Sequence, residues 1–318
     1  MSNQSSVSEF ILLRLSDVWE LHILCFFMFL AIYLTALMGN LLIIIAVVLD
    51  QSLHNPMHFF LLNLSIMVTG TISVIIPKIM VNSLLNIRTI SYAGCTAQVF
   101  FFNFFAGADF SLLTVMAYDC YIAICKPLHY ELVMNRRTCV QMASSAWVAG
   151  ILNSIMHTWN MFAFTFCGGN VVDLFFCEIP KLLKLSCMDT FFREVCLILF
   201  AVCLLLCSFI FIVVSYIKIF SAVLRIPSEQ GRHKAFSACI PHLTVVSLLV
   251  FSVTFAYFKP TSNTPSGLDL IVAVIYSVVP PTMNPIIYSM RNKEILAALR
   301  KLAHCLFFTD FQVPIFLK

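Results

Sequence analysis

The sequence predicts an all-α membrane protein, a bundle of seven transmembrane helices followed by a short amphipathic helix. Three observations carry that expectation. Of 318 residues, 61% are hydrophobic and 11% charged, and mean hydropathy is +0.96. A soluble domain has roughly a quarter charged residues, so this chain cannot cover its apolar surface and lipid must be its solvent. The apolar residues fall into seven long runs separated by short polar connections, each near the roughly 20 residues that a bilayer core requires. The formal net charge of +4 is too small to point to nucleic acid.

The elements follow in order. Residues 1–23 form a polar N-terminal segment with no cleavable signal, so the first helix should act as an uncleaved anchor. Asn3-Gln4-Ser5 is a glycosylation acceptor if this segment is lumenal. Helix 1 runs from about Leu24 to Leu49, with Gly39-Asn40 at mid-membrane, where an amide should meet another helix. Asn55-Pro56-Met57-His58-Phe59-Phe60 opens helix 2, about Met57–Val81. Asn63-Leu64-Ser65, the other acceptor triplet, falls inside this run and should be inaccessible. Helix 3 runs from near Cys95 to about Cys125, roughly 45 Å at the helical rise. It ends in Val115–Tyr130, VMAYDCYIAICKPLHY, which turns basic and aromatic and breaks at Pro127.

Helix 4 spans about Cys139–Phe164. A long loop follows, roughly Thr165–Arg193, with Cys167, Cys177 and Cys187 at ten-residue spacing. Helix 5, about Glu194–Leu224, contains Ser215-Tyr216. Lys234-Ala235-Phe236-Ser237-Ala238-Cys239 opens helix 6, which ends near Phe258. Helix 7, about Leu268–Tyr288, ends in PPTMNPIIYSMRN, and Lys293–Leu302 should lie on the inner membrane surface. The receptor domain is thus 24–290 and the tail 291–318. With the N-terminus outside, inner segments hold about twelve Lys and Arg and outer ones about seven, as the positive-inside rule requires.

Catalytic patterns such as GxSxG, HExxH and GxxxxGK[ST] are absent. No cofactor or metal is expected, and the chain should not be an enzyme. Asp109 is the one deep acid in this reading. It is either a cation or water site shared with Asn284 or a protonated, hydrogen-bonded core acid. His157 reads as a packed or water-bonded histidine. Asn103, Ala106, Gly107 and Phe110 recur at i, i+3, i+4 and i+7 and share a face of helix 3.

These strings resemble the vertebrate olfactory (odorant) receptors, a family of rhodopsin-like G-protein-coupled receptors, from about Phe10 to Leu299. The family has MAYDRY, PMYFFL, KAFSTC and PxxNPxIYSxRN where this chain has close counterparts. The resemblance implies bridges Cys95–Cys177 and Cys167–Cys187, which suit a loop facing an oxidising lumen. It implies a ligand pocket at Phe102, Asn103, Ala106, Gly107, Phe110, Leu204, Thr254, Tyr257 and Ser277. A pocket without charge suits small neutral odorants held by apolar burial. It further implies a switch at Asp119, Cys120, Tyr121, Tyr216, Lys234, Asn284, Pro285 and Tyr288, through which a stimulatory olfactory-type G protein raises cyclic AMP. Plasma-membrane localisation with an extracellular N-terminus belongs to the same implication.

Three departures fall on that switch. Cys120 stands where the family has arginine, Val68 where it has an aspartate, and Leu249-Val250-Phe251 where it has FYG. Arginine offers a charged, planar five-donor fork and cysteine neither charge nor reach. One alternative is therefore a receptor-like protein with impaired signalling. Another is a small transporter, although internal repeats and matched broken helices are not visible.

Overall fold

The computed structural model describes residues 8–13, 19–163, 166–225, 227–258, 274–275, 278–279, 282–283 and 295–300, with the backbone alone at 189, 234–235, 237–238, 241, 252–253 and 255–258. Six long helices dominate it: α1 (Trp19–Leu49), α2 (Pro56–Leu85), α3 (Tyr92–Cys125), α4 (Arg136–Phe162), α5 (Met188–Leu224) and α6 (Glu229–Phe258). Five helices, with spans Trp19–Leu49, Pro56–Leu85, Tyr92–Cys125, Arg136–Phe162 and Thr190–Leu224, are long and apolar enough to cross a membrane, and α6 contributes the apolar stretch His242–Phe251. The chain is an all-α, multi-pass membrane protein. Most of the expected seventh span lies outside the described residues; its residues 274–275, 278–279 and 282–283 are helical, as are 295–300 of the expected amphipathic segment.

The helices begin earlier than hydropathy alone suggests, and at α2, α3 and α4 a polar cap marks the start. A cap accepts from backbone N–H groups that the first turn leaves unpaired. Asn55 accepts from the His58 amide, Ser91 from that of Gly94, and Asn135 from that of Thr138. So α3 starts at Tyr92 rather than Cys95, and α4 at Arg136 rather than Cys139. The largest shift is in α5, which starts directly after Cys187 and carries Glu194 inside the helix.

A small sheet forms at the end that carries the N-terminus. Strand β1 (Glu9–Leu12) pairs antiparallel with β2 (Thr89–Ser91) and parallel with β3 (Val171–Val172), in the order β2-β1-β3. The N-terminal segment therefore contributes a strand, which its polar average conceals. Phe10 and Leu12 alternate with Glu9 and Ile11 at the two-residue period of a strand and are buried, Phe10 completely. The Phe10 ring lies 6.0 Å from Tyr92 and 5.2 Å from Phe166, centroid to centroid.

Helix α3 runs through the middle, touching α2, α4, α5 and α6. Its closest approach is to α4. A Cβ on Gly150 would lie 2.8 Å from the Phe104 carbonyl oxygen and 3.0 Å from the Ala108 nitrogen, both backbone atoms. Lipid is as apolar as a leucine side chain, so membrane helices associate through small residues and polar contacts. Gly150 is such a point. Buried side chains form two clusters. One lies at the sheet end around Phe10, Cys95, Phe176 and Cys177, and the other around Leu53, Met116, Cys239 and Ile295.

Gly150→Val should force α3 from α4, at an overpacking cost of roughly 1–3 kcal/mol. Gly107→Ala should be near neutral, since its Cβ would meet only Gly150 Cα at 3.6 Å and Asn153 Nδ2 at 3.9 Å. Melting of detergent-solubilised protein, followed by size exclusion, separates the two variants.

Candidate functional site: two ends of one bundle

At the sheet end, Cys95 bonds to Cys177 and Cys167 to Cys187. Gln98, one turn below Cys95, makes a second tie. Its Oε1 accepts from the Cys177 amide at 2.8 Å and its Nε2 donates to the Val74 carbonyl of α2 at 3.1 Å. The loop is thereby held to two helices, and Phe176 is fixed edge-on to Phe102 with centroids 5.8 Å apart. Phe102 is thus an apolar surface under a fixed roof.

The other expected pocket residues distribute unevenly. The Asn103 amide donates to the Val99 carbonyl of its own helix at 2.8 Å. Gly107 faces Gly150 at the α3–α4 crossing. Ala106 and Thr254 are exposed, and Phe110 is half-buried. Leu204 points away from the bundle, 55% exposed. The buried side chains of α5 are Thr190, Glu194, Ile212, Ser215, Tyr216, Ile219 and Val223, and none of residues 195–211 is buried. The side chain of Tyr257 and all of Ser277 lie outside what is described, as does Asn3.

Glu194 is a second deep acid, which corrects the expectation that Asp109 stands alone. It is fully buried. One carboxylate oxygen bonds to His157 Nδ1 and the other accepts from Asn160 Nδ2 at 2.7 Å. His157 is therefore neither isolated packing nor water-bonded; it ties α4 to α5. A glutamate at the edge of an apolar run was the available signal, and the expected start of helix 5 at that very residue concealed it. Asp109 is half-buried, its Oδ1 enclosed and without a hydrogen-bond partner among the described residues; Asn284 lies outside them. At mid-membrane, Asn40 Nδ2 donates to the Ala36 carbonyl at 2.8 Å, within its own helix. Val68, where the family has an acid, is buried.

The opposite end gathers the switch residues. Asp119 is buried and accepts from the Tyr130 hydroxyl at 2.9 Å. Tyr130 opens a short helix, Tyr130–Val133, set by the turn that starts at Pro127. Burial, and then the neighbouring Asp119 carboxylate, push the Tyr130 hydroxyl well above the ordinary tyrosine range. It therefore stays protonated and remains the donor. Tyr121 lies beneath Lys218 of α5, 5.7 Å from Nζ to ring centroid. Tyr216 is buried and its hydroxyl meets His242 Nδ1 at 2.8 Å, while His242 Nε2 donates to the Leu113 carbonyl at 2.8 Å. A carbonyl only accepts, so in the neutral ring the proton is on Nε2 and Tyr216 donates to Nδ1.

His242 thus joins α3, α5 and α6 through one imidazole. In the sequence it is a lone histidine in an apolar run that matches no metal spacing. Cys120 is half-buried and packs against the cluster that contains Tyr216 and Cys239. The side chain of Lys234 is not described, and Asn284, Pro285 and Tyr288 lie outside the described residues.

Leaving a buried polar group without its hydrogen-bond partner costs roughly 1–3 kcal/mol. His157→Leu should lower the melting temperature sharply, and adding Glu194→Met should restore much of the loss. Strictly additive losses in this double-mutant cycle would show that the two residues do not interact.

The profile of the family described as olfactory receptor matches residues 29–305. Olfactory receptor 14C36 of Homo sapiens is 48% identical over 98% of this chain and 99% of its own length. Human olfactory receptor 14A16 is 49% identical over 94% of this chain and 96% of its own, and human olfactory receptor 10A5 is 44% identical over 96% of each. With such matches along nearly its full length, the chain belongs to the olfactory receptor family of G-protein-coupled receptors and is not an enzyme.

Proposed function

We propose that the protein is a plasma-membrane odorant receptor with its N-terminus outside, binding small neutral molecules in the half of the bundle beneath the disulfide-held loop. The observation that carries the reading is the division of the bundle into unlike ends. One end has an apolar aromatic surface under a covalently fixed loop. The other concentrates Asp119, Tyr130, Tyr216 and His242 in hydrogen-bonded contacts that link α3, α5 and α6. A ligand at the first end acts on the second only through differential affinity for two arrangements of the helices. Few polar groups and aromatic walls suit neutral ligands, with roughly 0.8 kcal/mol for each buried methylene. The readout in this proposal is a stimulatory olfactory-type G protein at the Asp119 end, and cyclic AMP beyond it. Membrane lipid surrounds the bundle. The domain limits are 1–23 outside, 24–290 as the receptor domain and 291–318 as the inner tail.

The relatives named above are receptors, and neither impaired signalling nor transport gains support from them.

The test is a cyclic AMP reporter in cells carrying the olfactory G protein, with a panel of neutral odorants and surface staining. The native chain should respond, and Phe102→Asp should abolish the response at equal surface level by placing a charge in the apolar site. No response from the native chain or from Cys120→Arg, both at the surface, would sink the proposal. Asn3→Gln should remove one glycan and sharpen the band on a gel. An unchanged band in both glycosidase-treated and untreated samples would count against an outside N-terminus.

A further inference from the structure

His157 has one ring nitrogen that the fold leaves open. The residue is buried and belongs to the inward face of α4, where Ala143, Ala146, Gly150, Ser154, His157 and Met161 recur at three- and four-residue spacing. Its Nδ1 bonds to Glu194, whose other carboxylate oxygen accepts from Asn160 Nδ2. A carboxylate only accepts, so Nδ1 holds the proton, and in the neutral ring Nε2 has a bare lone pair. Nε2 has no hydrogen-bond partner among the described residues, and unlike Thr158 Oγ1 it is not fully enclosed.

Two hydrogen bonds between α3 and α4 set its depth. Ser154 Oγ donates to the Phe100 carbonyl below it, and the Tyr92 hydroxyl donates to the Phe162 carbonyl above it. His157 therefore lies under the loop-held end of the bundle, within about two helical turns of Phe102 along α3. Phe102 is the ring that Phe176 of the loop covers. The open nitrogen and the apolar surface thus belong to the same half of the bundle.

We infer that His157 Nε2 is the hydrogen-bond acceptor of the ligand site, and that the ligands this receptor selects carry a hydroxyl group, as alcohols and phenols do. The inference rests on the function proposed above and names the chemistry its site takes. The bond to Glu194 fixes the tautomer and the direction of the ring. A buried acceptor without a donor is costly. Lipid chains offer no donor, and His157 faces inward, so a donor reaches it from inside the bundle. A hydroxyl supplies one while the apolar remainder of the molecule packs toward Phe102. An ether or ketone of the same skeleton brings an acceptor to an acceptor and forms no bond. Glu194 touches the ring and not the ligand; it is a positioning residue.

The test compares neutral alcohols with their methyl ethers in the cyclic AMP reporter, with surface staining. The native chain should reach half-maximal response at about tenfold lower concentration of alcohol than of ether, the factor that one net hydrogen bond supplies. His157→Leu combined with Glu194→Met removes the open nitrogen without leaving an unpaired acid. This double variant should treat alcohol and ether alike. Equal potency of the two on the native chain, or a preference that survives in the double variant, would overturn the inference and leave the receptor reading intact. If no odorant elicits a response at the surface, the receptor reading fails, and melting of the detergent-solubilised chain decides the site alone. An alcohol should then raise the melting temperature of the native protein more than its ether does, and the two should act equally on the double variant. Equal shifts on the native protein overturn the site.

Discussion

In this protein helices must be positioned by something other than the hydrophobic effect. The outside of the bundle is as apolar as its inside, and transfer from lipid to protein supplies little free energy between helices. The arrangement depends instead on a few close backbone approaches and on polar ties between elements. Gly150 lets α4 approach the backbone of α3. Gln98 ties α2, α3 and the long loop. Glu194, His157 and Asn160 tie α4 to α5, and His242 ties α6 to α3 and α5. Remove these, and the helices remain helices without a fixed order.

The polar ties are not spread evenly. At the sheet end the long loop is held covalently and through backbone groups, and the buried Glu194, His157 and Asn160 tie α4 to α5 nearby. At the Asp119 end they run between side chains: Tyr130 with Asp119, and Tyr216 with His242. Side-chain contacts between elements can exchange partners at modest cost, while a disulfide cannot. A receptor that binds at one end and changes shape at the other needs that distribution. The stiff end keeps a pocket in one form, and the end with exchangeable contacts has alternatives available to it.

Cys120 fits that picture in an unexpected way. The sequence presents it as a loss, because it lacks the charge and reach of arginine. In the fold it packs against the apolar cluster at this end, and Asp119 takes its hydrogen bond from Tyr130 instead. The acid is satisfied without an arginine, by a tyrosine that Pro127 brings back toward α3. What replaces the missing cation is therefore an aromatic hydroxyl for the acid.

The sequence by itself determined the solvent, the class of fold and the family. Each of these is carried by long apolar runs or by contiguous strings such as VMAYDCY, and local order is enough to read them. It also marked the four cysteines that the structure joins in pairs. It did not reveal the strand at Glu9–Leu12, because four residues within a polar segment leave no average signal and the strand exists only by pairing with residues about eighty and 160 positions away. The partners of Glu194, Asp119 and Tyr216 stayed hidden for the same reason. A buried acid is visible in a sequence as a charge in an apolar run, but what satisfies it comes from another helix. Hydropathy alone does not place Leu204, since it has no inward side when lipid and protein interior are equally apolar. Only the tertiary structure decided which face of each helix meets another, because in a membrane that choice is made by close packing and polar pairing between elements distant in the chain.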